Sequence, residues 1–271
     1  MMHVDQALAR RLELTQTATL VEYVETAARL YPALGCGHLP LAGGAHAIYA
    51  GPGSPISRAA GLGLCGPVAA EVLEQAEDFF QVAGDVPQVD LCPLAHPSLV
   101  DFLGNRGYRV RWCLNVHFQE VGRHVVRDAG QGECGSIRVV SGEACDIDVW
   151  ARTVSDGFEG VDRPALVHPS IAFVTGQKPG VVRFLAYAGS EPAGAAALDM
   201  RDGLAIFYST STRMRFRGKG VHAALLRARL SAAVEAGCDL AMVLTGPGAP
   251  SQRNVERAGF RTAYTVMRMI R

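Results

Sequence analysis

Apolar positions along this chain recur with two periods, and the changes between them lay out its elements. From Gln6 to Leu30, residues Leu8, Leu12, Leu20, Val21 and Val24 fall on one stripe of a helix, which Pro32 and Gly35-Cys36-Gly37 end. His46–Ala50 and Ala59–Leu64 predict strands joined by the Gly-Pro-Gly turn at 51–53. Val68, Val72, Leu73, Ala76, Phe79 and Phe80 return to helical spacing and predict a helix over 68–82. A short strand at Val89–Cys92, a helix from Ser98 to Asn105 closed by Gly107, and a strand from Arg109 to Val121 follow.

Beyond a polar, glycine-containing stretch at about Gly122–Ser136 the pattern resumes. It predicts a strand at Ile137–Val140, a helix over about Glu143–Val154, an irregular segment at Asp156–Gly160, and strands at Val181–Tyr187, Gly194–Met200 and Leu204–Thr210. A helix from Val221 to Ala236 with Gly237 as its left-handed cap, a strand at Leu240–Leu244, a helix at Ser251–Arg257 and a strand at Arg261–Met269 complete the chain. The polar stretch is the expected boundary between two domains, 1–130 and 131–271. A shift of 152 residues places Gly66 on Gly218, Gly107 on Gly259, Tyr108 on Phe260 and Arg109 on Arg261, which reads as a duplication of one domain. The expected class is mixed α/β of the α+β type, each domain a twisted mixed sheet flanked by helices.

Length and composition agree with two folded domains: 271 residues, 49% apolar and 19% charged. The 26 basic residues balance the 26 acidic ones, so overall charge gives no argument for nucleic acid or an anionic membrane. Only Lys178 and Lys219 are lysines, which reads as a compositional bias toward arginine. No apolar run is long enough to span a bilayer, and an early acid with Arg10-Arg11 does not resemble a signal peptide; a soluble cytoplasmic protein is expected. The seven cysteines are scattered without a C-x-x-C pair and the histidines form no H-x-x-x-H pair, so neither a disulfide framework nor a metal site is expected.

Candidate chemistry concentrates in Thr212-Arg213-Met214-Arg215-Phe216-Arg217-Gly218-Lys219-Gly220-Val221, between a predicted strand and a predicted helix. Glycines allow close approach of a ligand to the backbone, and a helix N-terminus offers unpaired N–H groups to an anion. Arg215, Arg217 and Lys219 add positive charge, so a phosphate-bearing ligand is expected. The P-loop pattern fails because Gly220 follows Lys219. Gly218, Gly220 and Ala223 match G-x-G-x-x-A, but the next strand ends Val243-Leu244-Thr245-Gly246, without the acid that holds a ribose.

Arg215-Phe216-Arg217-Gly218-Lys219-Gly220 does match [Q/R]-x-x-G-x-[G/A], and Ser251–Ala258 leads to Gly259-Phe260. Over roughly residues 137–271 the sequence resembles the GNAT superfamily of acyl-CoA-dependent N-acyltransferases. The resemblance implies a tandem arrangement whose second domain transfers an acetyl group from acetyl-CoA (coenzyme A) to a primary amine of a small molecule or peptide. The balanced charge gives the expectation of no nucleic acid or membrane partner, and the oligomeric state is left open, a homodimer being one option. Amides of Arg217, Gly218, Lys219, Gly220 and Val221 would cradle the pyrophosphate. Thr210, Ser211 and Thr212 would pair with the pantetheine arm and present an amide to the thioester carbonyl. Asn254 would touch the arm or serve as a local polar cap.

Two family positions differ here. Val255 stands where a tyrosine acid is often found, and Leu204 where some members carry a glutamate base. Tyr208, on the face shared by Leu204 and Ile206, is the alternative phenol; Tyr264 on the last strand and Glu159 in the irregular segment are further candidates. The first half has Gly63, Cys65 and Pro67 where the second has Arg215, Arg217 and Lys219, so it is expected to be a degenerate copy. An acyl-CoA-binding module without catalysis, and a transferase using charged tRNA, are the competing classes.

Overall fold

The computed structural model describes residues 2–122, 137–158 and 169–271. The polar boundary stretch lies almost entirely outside these, and so does Glu159. The chain divides into two compact units that are not contiguous in sequence: Met1–Val116 with Thr245–Pro247 and Thr262–Arg271, and His117–Leu244 with Gly248–Arg261. The division at 130 therefore does not hold for the last strand, whose residues from Thr262 onward belong to the first unit.

In the first unit, helix α1 (Gln6–Leu30) starts at Asp5, whose carboxylate accepts the Leu8 amide. Strands β1 (Gly37–Pro40), β2 (His46–Tyr49) and β3 (Arg58–Ala60) form an antiparallel set. Helix α2 (Ala70–Val82) leads to β4 (Gln88–Leu91), which pairs parallel to β3 at the single position Ala59–Val89. Helix α3 (Pro97–Asn105) and strand β5 (Arg109–Glu120) follow. The last strand, β11 (Arg261–Ile270), runs antiparallel to β4 with Met267 opposite Leu91. The strand expected at Ala59–Leu64 stops at Ala60, because Gly61 and Gly63 take positive φ and turn the chain.

The second unit begins with the end of β5 and continues with β6 (Ile137–Ser141), α4 (Ile147–Gly157), α5 (Pro169–Gln177), β7 (Val182–Ala188), β8 (Glu191–Arg201), β9 (Leu204–Thr212), α6 (Val221–Glu235), β10 (Leu240–Thr245) and α7 (Pro250–Arg257). Strands β6 to β9 are successive antiparallel neighbours and β10 lies parallel to β9. Asp202 and Gly203, both at positive φ, make the two-residue turn between β8 and β9.

One face of this sheet buries Phe184, Ala196, Leu198, Ala205 and Phe207 against Leu225, Leu226 and Leu230 of α6. The other face buries Leu185, Ala195 and Ala197 against Trp150, Ala151 and Val154 of α4 and Ala172 of α5. Two elements escape the sequence pattern. Helix α4 starts later than expected, behind Asp146, which accepts the Asp148 and Val149 amides, and it runs on to Gly157. Helix α5, Pro-Ser-Ile-Ala-Phe-Val-Thr-Gly-Gln, has a largely apolar sequence without a polar stripe and carries no amphipathic signal.

From α2 onward the 152-residue shift carries α2 onto α6, β4 onto β10, α3 onto α7 and β5 onto β11, each within two residues at the start.

Candidate functional site

Strand β9 leaves its parallel neighbour early. The ladder with β10 spans Leu204–Phe207 against Leu240–Val243, whereas β9 continues beside β8 to Thr212. At this point β9 also bulges: Tyr208 pairs with Ala197 and Ser211 with Ala195, so Ser209 and Thr210 stand opposite Ala196 alone, and Ser209 takes φ +50°. Two β8 carbonyls at the bulge are satisfied from the helices on either face. Trp150 Nε1 donates to Ala196 O at 3.0 Å, and Arg229 Nη1 of α6 donates to Ala197 O at 3.4 Å.

After Thr212 a short turn, Met214–Phe216, leads into Arg217–Gly220, all exposed, and then into α6. Gly218 and Gly220 adopt φ +75° and +81°, the left-handed region in which glycine is least strained. A Cβ on Gly218 would meet nothing within 4 Å. No side chain caps α6, and its first helical bond runs from Ala224 N to Gly220 O, so the amides of its first turn face outward. Val221 anchors the turn in the core and packs over Gly194, where a Cβ would stand 2.6 Å from Val221 Cγ1 and 2.7 Å from Ser211 O.

The expected cationic side chains are engaged within the protein. Arg215 forms an ion pair with Glu191 and lies over the Phe216 ring, where Lys219 Nζ also sits, 5.5 Å from the centroid. Arg217 donates to Gly157 O at 3.0 Å and to Thr212 O at 3.3 Å, fastening the end of α4 to the end of β9. The anion-binding capacity of this loop therefore rests on backbone N–H groups and helix polarity more than on free basic side chains. Beside it, Thr212 Oγ1 and His222 Nδ1 are buried polar atoms without a hydrogen-bond partner among the described residues. Burial, and then the nearby Arg229 guanidinium, push His222 down to about 4, so it is neutral near pH 7. Arg229 itself is fully buried over the Phe207 ring and pushed down to about 9 by desolvation.

Of the candidate acids and bases, Tyr208 is the one placed at the split. It is half-buried, and its hydroxyl lies 3.4 Å from both Lys178 Nζ and Asp199 Oδ2, which are themselves 2.9 Å apart and almost fully buried. Sequence reading did not find Lys178 and Asp199; the signal was that one of only two lysines in the chain follows an apolar stretch. Tyr264 is not part of this group. It lies in the core of the first unit, its hydroxyl donating to Glu13 Oε1 at 3.0 Å, and desolvation holds it protonated far above the ordinary phenol range. Ser211 is buried and donates to Thr153 O. Asn254 is half-buried on α7, whose Val255 points into the core and whose following Phe260 packs edge-on against Phe207 at 5.8 Å. Neither Val255 nor the fully buried Leu204 offers an acid or base.

The first unit differs before the corresponding turn, although Gly66, the counterpart of Gly218, is as open: a Cβ there would meet nothing within 4 Å. Strand β3 ends one residue beyond its pairing with β4, so it lacks the extension that β9 has. His96 N donates to Gly63 O at 2.8 Å, and a Cβ on Gly63 would meet Ala95 Cβ at 3.1 Å.

The overall fold recurs in solved structures. A GCN5-related N-acetyltransferase from Kribbella flavida aligns over 92% of this chain and 95% of its own, with TM-score 0.62 and 18% identity. The chain has the GNAT fold. A tandem GNAT protein from the clavulanic acid biosynthesis pathway, solved without acetyl-CoA, shares it at TM-score 0.54 and 15% identity over 74% of this chain and 67% of that one. A conserved protein of unknown function from Staphylococcus epidermidis does so at TM-score 0.56 and 9% identity, over 77% and 85%. No family model matches the sequence, and no curated protein matches it. The tandem GNAT architecture thus agrees with the expected one, and no described helix is long and apolar enough to cross a membrane.

Proposed function

We infer that the second unit is an acyl-CoA-dependent N-acyltransferase, an acetyltransferase in its simplest form, acting on a primary amine of a small molecule or peptide. The observation that carries this reading is the meeting of the β9–β10 split with an exposed, uncapped, glycine-entered helix N-terminus. Of the amides of Arg217 to Val221, that of Arg217 donates to Met214 O; those of Gly218 to Val221 suit a diphosphate, and the open side of Gly218 leaves room for it. Beyond Phe207, the β9 edge that no longer pairs with β10 suits an extended pantetheine arm along Thr210–Thr212, which would occupy the place of a neighbouring strand. The orphaned Thr212 Oγ1 is a polar atom that such an arm can satisfy. When bound, the cofactor supplies an activated thioester.

The bulge supplies what the acyl group needs. It breaks the regular β8 ladder at Ser209 and Thr210, and an amide of this stretch would stabilise negative charge on the carbonyl oxygen as an amine attacks. Holding amine and thioester together supplies much of the remaining rate. Asn254 is positioned on the helix beyond β10 and is a candidate for contact with the arm. A binding module without catalysis is the second reading, favoured by the burial of Val255 and Leu204 at the usual acid and base positions.

Purified protein with acetyl-CoA and a panel of primary amines, followed by release of free thiol, separates the two. Amine-dependent release is the expected outcome. Saturable binding of acetyl-CoA with no release on any amine would establish the binding module instead.

A further inference from the structure

Three polar side chains converge on the α4–α5 face of the second unit, beside the apolar Leu185, Ala195 and Ala197 of the sheet. Asp199 lies on the same face of β8 as Ala195 and Ala197, and Lys178 follows α5 directly. Tyr208 is the first residue of β9 past its ladder with β10. Lys178 Nζ donates to Asp199 Oδ2 at 2.9 Å, lies 5.3 Å from the centre of the Tyr208 ring, and reaches the Tyr208 hydroxyl at 3.4 Å. The hydroxyl in turn donates to Asp199 Oδ2 at 3.4 Å. The ion pair's side chains are 3% and 4% exposed, so their charges are held out of water. A buried pair of this kind contributes little net stability compared with apolar side chains of the same volume, so its presence beside a half-exposed phenol calls for another role. The other ionisable groups on neighbouring strands and helices are engaged elsewhere or lie at the rim. Arg183 of β7 donates to Gly176 O and Cys145 O, Tyr187 lies under Arg138, Asp156 of α4 pairs with Arg213, the Cys145 thiol is pushed up to about 11 by burial, and Arg201 is half-exposed at the end of β8.

We propose that Lys178 and Asp199 are positioning residues that make the Tyr208 hydroxyl a two-way proton shuttle for acyl transfer; this rests on the acyltransferase reading above. As the amine nitrogen bonds to the thioester carbon, its surplus proton passes to the Tyr208 oxygen while the Tyr208 proton passes to Asp199 Oδ2. As the carbon–sulfur bond breaks, the same two transfers run backward and the proton ends on the departing sulfur. The products are an amide and a free thiol, and both side chains return to their starting state. Lys178 Nζ, bonded to both Asp199 Oδ2 and the Tyr208 oxygen, fixes the carboxylate beside the phenol. A lysine suits this task because its compact ammonium can touch carboxylate and phenol together.

The test compares wild type with Asp199→Asn, Tyr208→Phe, the double variant and Lys178→Met. Acetyl transfer from acetyl-CoA to a panel of primary amines is followed between about pH 6 and 9.5, with calorimetric affinity for coenzyme A and thermal unfolding measured in parallel. Asp199→Asn and Tyr208→Phe should each lower kcat by about a hundredfold, with the double variant no worse than either and coenzyme A affinity unchanged. Lys178→Met should lower kcat by about tenfold or more with coenzyme A affinity unchanged, because the carboxylate and the phenol lose the ammonium that holds them together. Unchanged kcat in the variants, or losses that add in the double variant, while the melting temperature falls would reduce the three residues to packing and overturn the proposal. Coenzyme A binding by wild type without transfer to any amine would establish the binding module and bring down the acyltransferase reading together with the proposal. Absence of coenzyme A binding would instead bring down the acyltransferase reading beneath it.

Discussion

A carboxyl deprived of water keeps its proton, and Glu13 of α1 is such a group. Burial pushes it up to about 7; Asp90 adds to the rise, while the Tyr264 hydroxyl and Arg58 oppose it without overcoming it. Nearby Asp90 is equally buried, yet the guanidinium groups of Arg268 and Arg58 hold it below the ordinary carboxylate range. Two buried acids in one unit thus end on opposite sides of their usual value according to whether a cation touches them. The folded state binds the Glu13 proton more tightly than the unfolded chain, where the group titrates near 4.5. Stability should therefore fall as pH rises from about 4.5 to 7 and level off above that, a change of roughly 3 kcal/mol at most. Glu13→Gln keeps an acceptor for Tyr264 without the titration, so urea unfolding at pH 4.5 and 7.5 should show the variant gaining on wild type at the higher pH. Parallel behaviour of the two proteins would contradict this.

Among the elements, the informative one is the last strand. Helix α7 belongs to the second unit, whereas β11 from Thr262 onward belongs to the first, where it pairs with β4 and brings Tyr264 to Glu13 and Arg268 to Asp90. A fragment of residues 1–122 lacks all of these contacts and leaves Asp90 with one of its two arginine partners. It should fail to unfold cooperatively by circular dichroism, and a synthetic peptide spanning 262–271 should restore the transition; a cooperative transition from the fragment alone would contradict the assignment.

Sequence could place β11 as a strand, because its boundaries follow local pattern, but not its partner, because strand pairing is set by tertiary contacts. The glycine loop was legible for a similar reason: Gly218 and Gly220 answer a local backbone requirement. Helix α5 carried no periodic stripe, and the Lys178–Asp199–Tyr208 group joins three separate elements, so neither had a local signature. The arginines of the loop were legible as charge but not in their engagement, since Glu191 and the Gly157 carbonyl lie far away in sequence.

At the scale of the molecule, a duplicated order of elements has diverged at one place. After the turn, α2, β4, α3 and β5 keep their counterparts in register, but β3 stops where β9 goes on, and the basic side chains at 215, 217 and 219 have Gly63, Cys65 and Pro67 in their place. A binding function is therefore expected of the second unit alone, with one coenzyme A per chain. The most direct measurement is a crystal structure of the protein with coenzyme A bound. The diphosphate should lie within hydrogen-bonding distance of the amides of residues 218–221, with the pantetheine arm along Thr210–Thr212. A diphosphate bound in the first unit, or a split between β9 and β10 closed by the protein's own chain, would contradict the account.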